Sequence, residues 1–174
     1  GIKAFSIAKE LLEKEIARTV LVIGVDSIAK LPVYGFDSLE ILSGEPANPF
    51  SKNRCGINIG EGAAAFIVSK EGEGIEITGI GETTDYYHST TPDPEGIEAE
   101  KAIRLALGEM KPEDIDYINL HGTGTQANDL MEARAVYNIF GAKVPASSTK
   151  PLTGHCLGAA ASIETALCCR LLEK

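Results

Sequence analysis

Apolar and polar positions fall in blocks along this chain, and the changes of period mark a succession of helices and strands. Residues 4–17 carry apolar side chains at helical spacing and predict an amphipathic helix. The run Val20-Leu-Val-Ile-Gly-Val25 is apolar throughout, which suits a parallel strand buried on both faces and is far too short to cross a bilayer. A loop with Pro32, a short helix at 38–41 and a proline-bearing connector at 46–60 follow. Residues 63–68 and 75–80 read as strands on either side of the polar turn Lys70-Glu-Gly-Glu-Gly74. Asp93-Pro94 opens a helix that runs to 107. Strand 115–120, helix 129–140, strand 144–147 and helix 157–172 complete the order. Strands interleaved with helices predict an α/β fold with parallel-rich mixed sheets.

Composition narrows the class. With 44% apolar residues and 18 glycines in 174, the chain is long enough for one sizeable core; about 70% of the unfolded surface is buried in a domain of this length. A net charge of −9 argues against nucleic acid, whose phosphates need clustered Lys and Arg. No signal-peptide pattern opens the sequence, and no apolar run is long enough for a membrane span, so no membrane partner and a cytoplasmic location are expected. The 4 cysteines, at 55, 156, 168 and 169, include no C-x-x-C pair, which suggests neither a zinc site nor a redox dithiol and fits a reducing compartment. No metal and no cofactor are expected.

The candidate chemistry lies in the second half. The run His121-Gly-Thr-Gly-Thr is followed by Asn128-Asp129 and then by Lys150-Pro-Leu-Thr-Gly-His155, which predicts two imidazoles and an ammonium in one site. His121 follows the strand at 115–120, where open α/β sheets place ligands. Gly122 and Gly124 permit backbone angles a Cβ would forbid, and Thr123 and Thr125 set hydroxyls beside that path. Asp129, three residues before Glu132 and ahead of Ala133, Val136 and Tyr137, has the form of a capping box. Val144 to Thr149 delivers Lys150 to a second turn, and Gly154-His155 precedes a small-residue helix. An imidazole near that helix N-terminus is favoured neutral, as a hydrogen-bond donor. A lone histidine is more often a packing residue and a lone lysine a solvated one. The combination at two glycine turns is what points to catalysis.

Three blocks carry a resemblance: Asp114-Ile-Asp-Tyr-Ile-Asn-Leu-His-Gly-Thr-Gly-Thr125 with Asn128-Asp129, Ser148-Thr-Lys-Pro-Leu-Thr-Gly-His-Cys-Leu-Gly-Ala-Ala160, and Pro49-Phe-Ser-Lys-Asn-Arg-Cys-Gly-Ile-Asn-Ile-Gly-Glu-Gly-Ala63. In this order they resemble the elongating, Cys-His-His type of β-ketoacyl-[acyl carrier protein] synthase. The resemblance implies a thiolase-like fold, here incomplete, divided near 70–74 into the remainder of an N-terminal half (1–72) and the first part of a C-terminal half (73–174). It implies decarboxylative Claisen condensation: a cysteine thiolate takes the acyl chain, a malonyl thioester loses carbon dioxide, and the enolate attacks the acyl-enzyme. His121 and His155 would donate to the thioester oxygen. Removing one such preorganised donor costs about 3–4 kcal/mol of barrier. Lys150 would be the family's active-site lysine, pairing with Glu132, and Asp129 and Glu132 would support the site. Thr123 and Thr125 would meet the pantetheine arm. Acyl carrier protein, in malonyl and acyl forms, is the implied partner, with a homodimer for the full-length enzyme.

The family's nucleophile belongs just ahead of the helix at 4–17, and its glycine-phenylalanine-glycine-glycine loop near the C-terminus; neither is in this sequence, so the resemblance implies an internal fragment, inactive alone. Cys156, beside His155, is the one internal substitute to weigh, but a sequence neighbour on a helix points elsewhere; Cys168 and Cys169 read as core. Cys55 and Ser51 depart from the connecting block of the family. Lys52 and Arg54 form a small basic cluster that is a candidate carrier contact or simply solvated surface. Fatty acid biosynthesis is the first reading; a polyketide ketosynthase or a non-catalytic partner resembling a chain-length factor are the alternatives, and degradative thiolase chemistry fits the His-Gly-Thr-Gly-Thr block poorly.

Overall fold

Helices and strands alternate in the computed structural model, which describes residues 1–173: α1 (Ile2–Glu13), β1 (Thr19–Asp26), α2 (Lys30–Ser38), β2 (Gly62–Ser69), α3 (Ile97–Leu107), β3 (Ile118–Asn119), α4 (Gln126–Phe140), β4 (Ala146–Ser147), α5 (Lys150–Thr153) and α6 (Ala160–Leu172). Single 3-10 turns lie at Pro112–Asp114 and Leu157–Ala159. The chain forms two compact units, one of Gly1–Val33, Ile59–Glu76 and the stretch from His155, the other of Tyr34–Asn58 and Ile77–Gly154.

In the first unit α1 buries Phe5, Ala8 and Leu12, spaced three and four residues apart as an amphipathic stripe requires. β1 pairs with β2 from Thr19↔Ser69 to Asp26↔Gly62, and the pairing is antiparallel. This corrects the expectation of a parallel strand buried on both faces. One face carries Val22, buried, and Phe66, whose ring meets that of Phe5 edge-on at 5.1 Å. The other presents Leu21, Ile23, Val25 and Ile67 to solvent. β1 and α6 approach closely at Gly24, where a Cβ would sit 2.2 Å from Ser162 Oγ.

In the second unit β3 and β4 pair in parallel, Ile118↔Ala146 and Asn119↔Ser147, and the Leu120 amide extends the ladder to the Ser147 carbonyl at 2.8 Å. α4 is tied to the turn ahead of α3 by Arg134, which donates to the Pro94 carbonyl at 2.7 Å and to Glu95, and to α3 itself by Asn138 on Glu100. Several boundaries differ from the sequence pattern for local reasons. α1 stops at Glu13, and Glu15 follows in a left-handed conformation (φ 57°). Pro32 sits in the first turn of α2 rather than in a loop, because the first turn has no use for its missing N–H, and 38–41 is not a separate helix. Residues 75–80 join no ladder among the described residues; Gly79 and Gly81 instead lie where a Cβ would meet the carbonyls of Ala106 and Ala102. The helix expected from Asp93 starts at Ile97, because the Asp93 carbonyl and carboxylate take the amides of Gly96 and Glu95 in a preceding turn.

Candidate active site

The loop after β3 is built by carboxylates from α4. The N-cap of α4 is Thr125, whose Oγ1 accepts the Asn128 amide at 3.3 Å. Asp129 and Glu132 are therefore not the capping box their spacing suggests. One turn inside the helix and on one side of it, they reach back to the loop. Glu132 accepts the amides of His121 and Gly122, the latter at 2.8 Å, with Asn128 Nδ2 at 3.4 Å. Asp129, 2% exposed, accepts the Gly124 amide on Oδ1 at 3.1 Å and the Phe50 amide on Oδ2 at 2.7 Å, with Arg54 Nε 3.7 Å away. The loop takes these bonds because Gly122 (φ 42°) and Gly124 (φ 83°) turn left-handed, and no Cβ fits at Gly122, 2.4 Å from Ser148 Cβ. Burial pushes the Glu132 carboxyl above the usual carboxylate range, outweighing the amides that favour its anion.

Lys150 opens α5 with its side chain buried, 2% exposed. Its Nζ donates to the His121 carbonyl and lies 3.2 Å from His121 Nδ1. An ammonium has only protons to offer, so Nδ1 accepts and the neutral ring carries its proton on Nε2. The resemblance has Lys150 pairing with Glu132; here both groups bear on His121, the carboxylate at its amide and the ammonium at its carbonyl and ring. Ser148 locks the same turn, donating to the Gly122 carbonyl at 2.9 Å and accepting the Lys150 amide at 3.2 Å. Thr123, 7% exposed, has its hydroxyl 3.0 Å from that of Thr125.

His155 belongs to the first unit, where it forms a bridge with Ile59 and its carbonyl accepts the Gly60 amide at 3.1 Å. Its Nδ1 accepts the Leu157 amide at 3.1 Å, which again leaves the ring neutral with the proton on Nε2. Leu157 is left-handed (φ 43°), and the Gly158 amide beyond it donates to Asp26 Oδ2 at 2.8 Å.

The cysteines divide by burial. Cys156 is 1% exposed and packs with Ala159 and Ala160 in the core of the first unit. Burial raises the Cys169 thiol, with Cys168 beside it adding to the effect, and Cys55 lies 3.0 Å from Ser43 Oγ. Arg54 is no surface cation: it is largely buried against Asp129 and donates to the Ser51 carbonyl at 2.9 Å, so the basic cluster with Lys52 is not formed. Phe50, Ser148 and Asp26 were missed by sequence reasoning. Phe50 and Ser148 stand in the blocks that carry the resemblance and Asp26 ends an apolar run, but their roles depend on backbone amides and carbonyls, which leave no mark in a sequence.

The family described as Beta-ketoacyl synthase, C-terminal domain, matches residues 75–174. A 3-oxoacyl-[acyl-carrier-protein] synthase 2 of Coxiella burnetii is 39% identical over 168 residues, covering 84% of this chain and 41% of the relative. The ketosynthase ApeO, solved in complex with its chain length factor ApeC from Xenorhabdus doucetiae, superposes with a TM-score of 0.95 at 44% identity, covering 98% of this chain and 43% of that one. The type II ketosynthase structure AntDE:AntF, with its acyl-carrier protein, gives 0.92 at 30% identity over 100% of this chain and 48% of that one. The chain thus spans less than half the length of each of these proteins. Among the described residues no helix is long and apolar enough to cross a membrane. Sequence across the second half and backbone across nearly the whole length lead to one conclusion: the chain has a thiolase-like α/β fold and belongs to the β-ketoacyl synthase family.

Proposed function

We propose that these residues belong to a 3-oxoacyl-[acyl carrier protein] synthase of fatty acid biosynthesis, which condenses malonyl-carrier with an acyl-enzyme thioester. In the reaction the malonyl group loses carbon dioxide, the enolate carbon attacks the acyl carbonyl, a carbon–carbon bond forms, and the cysteine thiolate leaves. Negative charge grows on the malonyl thioester oxygen, and preorganised neutral donors oppose it without reorganising. The observation that supports this reading best is that both imidazoles accept a hydrogen bond at Nδ1, His121 facing Lys150 and His155 facing the Leu157 amide. Each ring can then offer Nε2–H to the oxygen. Lys150, Glu132 and Asp129 hold His121 and its loop, and Thr123 and Thr125 would meet the pantetheine arm of the carrier.

The acyl-accepting thiol is assigned to a part of the enzyme outside these 174 residues, since buried Cys156 is unsuited to it. Residues 1–72 and 73–174 are taken as parts of the two thiolase-type halves. Acyl carrier protein as partner, a homodimer and a cytoplasmic location belong to the same proposal. A polyketide ketosynthase working with a chain length factor is the second reading, favoured by the likeness to ApeO.

The test is carbon–carbon bond formation from malonyl- and acyl-carrier thioesters by a polypeptide that includes the missing thiol, with His121→Ala and His155→Ala each made in turn. Product that survives either change undiminished sinks the assignment. Saturated acyl carriers as the preferred primers favour the fatty acid reading, and poly-keto chains formed only with a second subunit favour the other. The 174-residue chain alone is expected to form no product.

A further inference from the structure

The Leu157 amide donates to His155 Nδ1 and so sets the ring tautomer only while it is held in register with the ring. Leu157 is left-handed (φ 43°), an uncommon conformation for a residue with a side chain, and one that persists only where the surroundings enforce it. The turn sends successive amides in different directions: Leu157 N–H donates back to His155 Nδ1 at 3.1 Å, and Gly158 N–H donates to Asp26 Oδ2 at 2.8 Å. A Cβ at Gly158 would lie 3.0 Å from that same oxygen, so glycine admits the close approach.

Asp26 is itself anchored. It closes β1 opposite Gly62, and its Oδ1 accepts the Ser27 amide at 3.0 Å. Two residues on, the Ile28 amide donates to Glu61 Oε2 at 3.2 Å. The segment before Glu61 is tied to the histidine directly, through Gly60 N–H on the His155 carbonyl at 3.1 Å. The ring's backbone is thus gripped on one side by the chain leading into β2 and on the other by the carboxylate ending β1.

We infer that Asp26 is a positioning residue, which fixes the ring tautomer of His155 by holding the Gly158 amide and, through it, the strained Leu157 turn. The inference rests on the proposed use of His155 as an Nε2–H donor. Asp26 acts only through the backbone and takes no part in the reaction itself.

The experiment is nitrogen NMR of the protein carrying 15N-labelled histidine, with Asp26→Ala and Asp26→Asn. In the unmodified protein His155 shows an unprotonated Nδ1 and a protonated Nε2. In Asp26→Ala the share of the Nδ1–H form rises roughly tenfold, the factor set by loss of one backbone hydrogen bond. His121, held by Lys150, is unchanged. Asp26→Asn keeps one acceptor oxygen for the Gly158 amide, at the expense of the Ser27 bond, and restores most of the original signals. A folded Asp26→Ala protein with an unaltered His155 overturns the inference, as does Asp26→Asn behaving like Asp26→Ala. Should Asp26→Ala fail to fold, amide exchange in the unmodified protein decides. Gly158 is expected to be protected, and free exchange there overturns the inference. Because the tautomer is read without turnover, the two conclusions fail separately. An intact tautomer effect with no condensing activity removes the proposed function, whereas His155-dependent condensation with no effect of Asp26 removes only this inference.

Discussion

The two histidine loops reach the same chemical state by opposite means. Around His121 the work is done by buried charge: Lys150 and Asp129 are each 2% exposed, Glu132 accepts two loop amides, and Arg54 stands against Asp129. Around His155 backbone carries much of it: a bridge to Ile59, a left-handed Leu157 and, at a strand end, the Asp26 carboxylate. A buried charge left without its partner is costly, whereas a bond at a solvated turn is replaced by water. The first loop is therefore rigid at a price in sensitivity, and the second depends on small residues and strain.

The largest effect separating them is on stability. Asp129→Ala leaves the Gly124 and Phe50 amides without their acceptor and the Arg54 guanidinium without its counter-charge, and is expected to destabilise the protein by about 3–5 kcal/mol in denaturant unfolding. Asp26→Ala is expected to cost about 1 kcal/mol or less. Equal losses at the two positions would erase the contrast. Lys150→Met conserves volume but leaves the His121 carbonyl unpaired, at about 1–3 kcal/mol. By ring NMR it should admit the Nδ1–H form of His121.

Smaller is the pH dependence from Glu132. Its folded pKa is raised above the ordinary glutamate value, so the folded state binds the proton more tightly than the unfolded one. Stability then falls as pH rises from about 4.5 through the folded value and levels off above it. Parallel pH-unfolding curves for the unmodified protein and Glu132→Gln should diverge across that window; curves that stay parallel contradict it. A comparably small effect lies in the first unit, where Ser162 Oγ is buried with no partner among the described residues. Ser162→Ala should stabilise by about 1 kcal/mol, measured as a higher unfolding midpoint.

Much of this was legible beforehand. β1, β2, the parallel pair β3–β4 and the helices α4 and α6 follow from apolar runs and period, because burial writes directly into side-chain type. Lys150 and His121 were named from their loops and do meet. What escaped was decided by backbone amides. Asp129 and Glu132 match a capping box in spacing, yet Thr125 caps the helix and frees both acids for the loop. Lys52 and Arg54 looked alike as cations, but only contact with Asp129 tells that Arg54 turns inward. The run 20–25 was read as buried on both faces since hydrophobicity alone does not say which neighbours cover a strand.

The most direct measurement is the ring-nitrogen spectrum of the two histidines at neutral pH. The account predicts that His121 and His155 both show a bare Nδ1 and a protonated Nε2. An imidazolium, or a proton on Nδ1 at either ring, would contradict it.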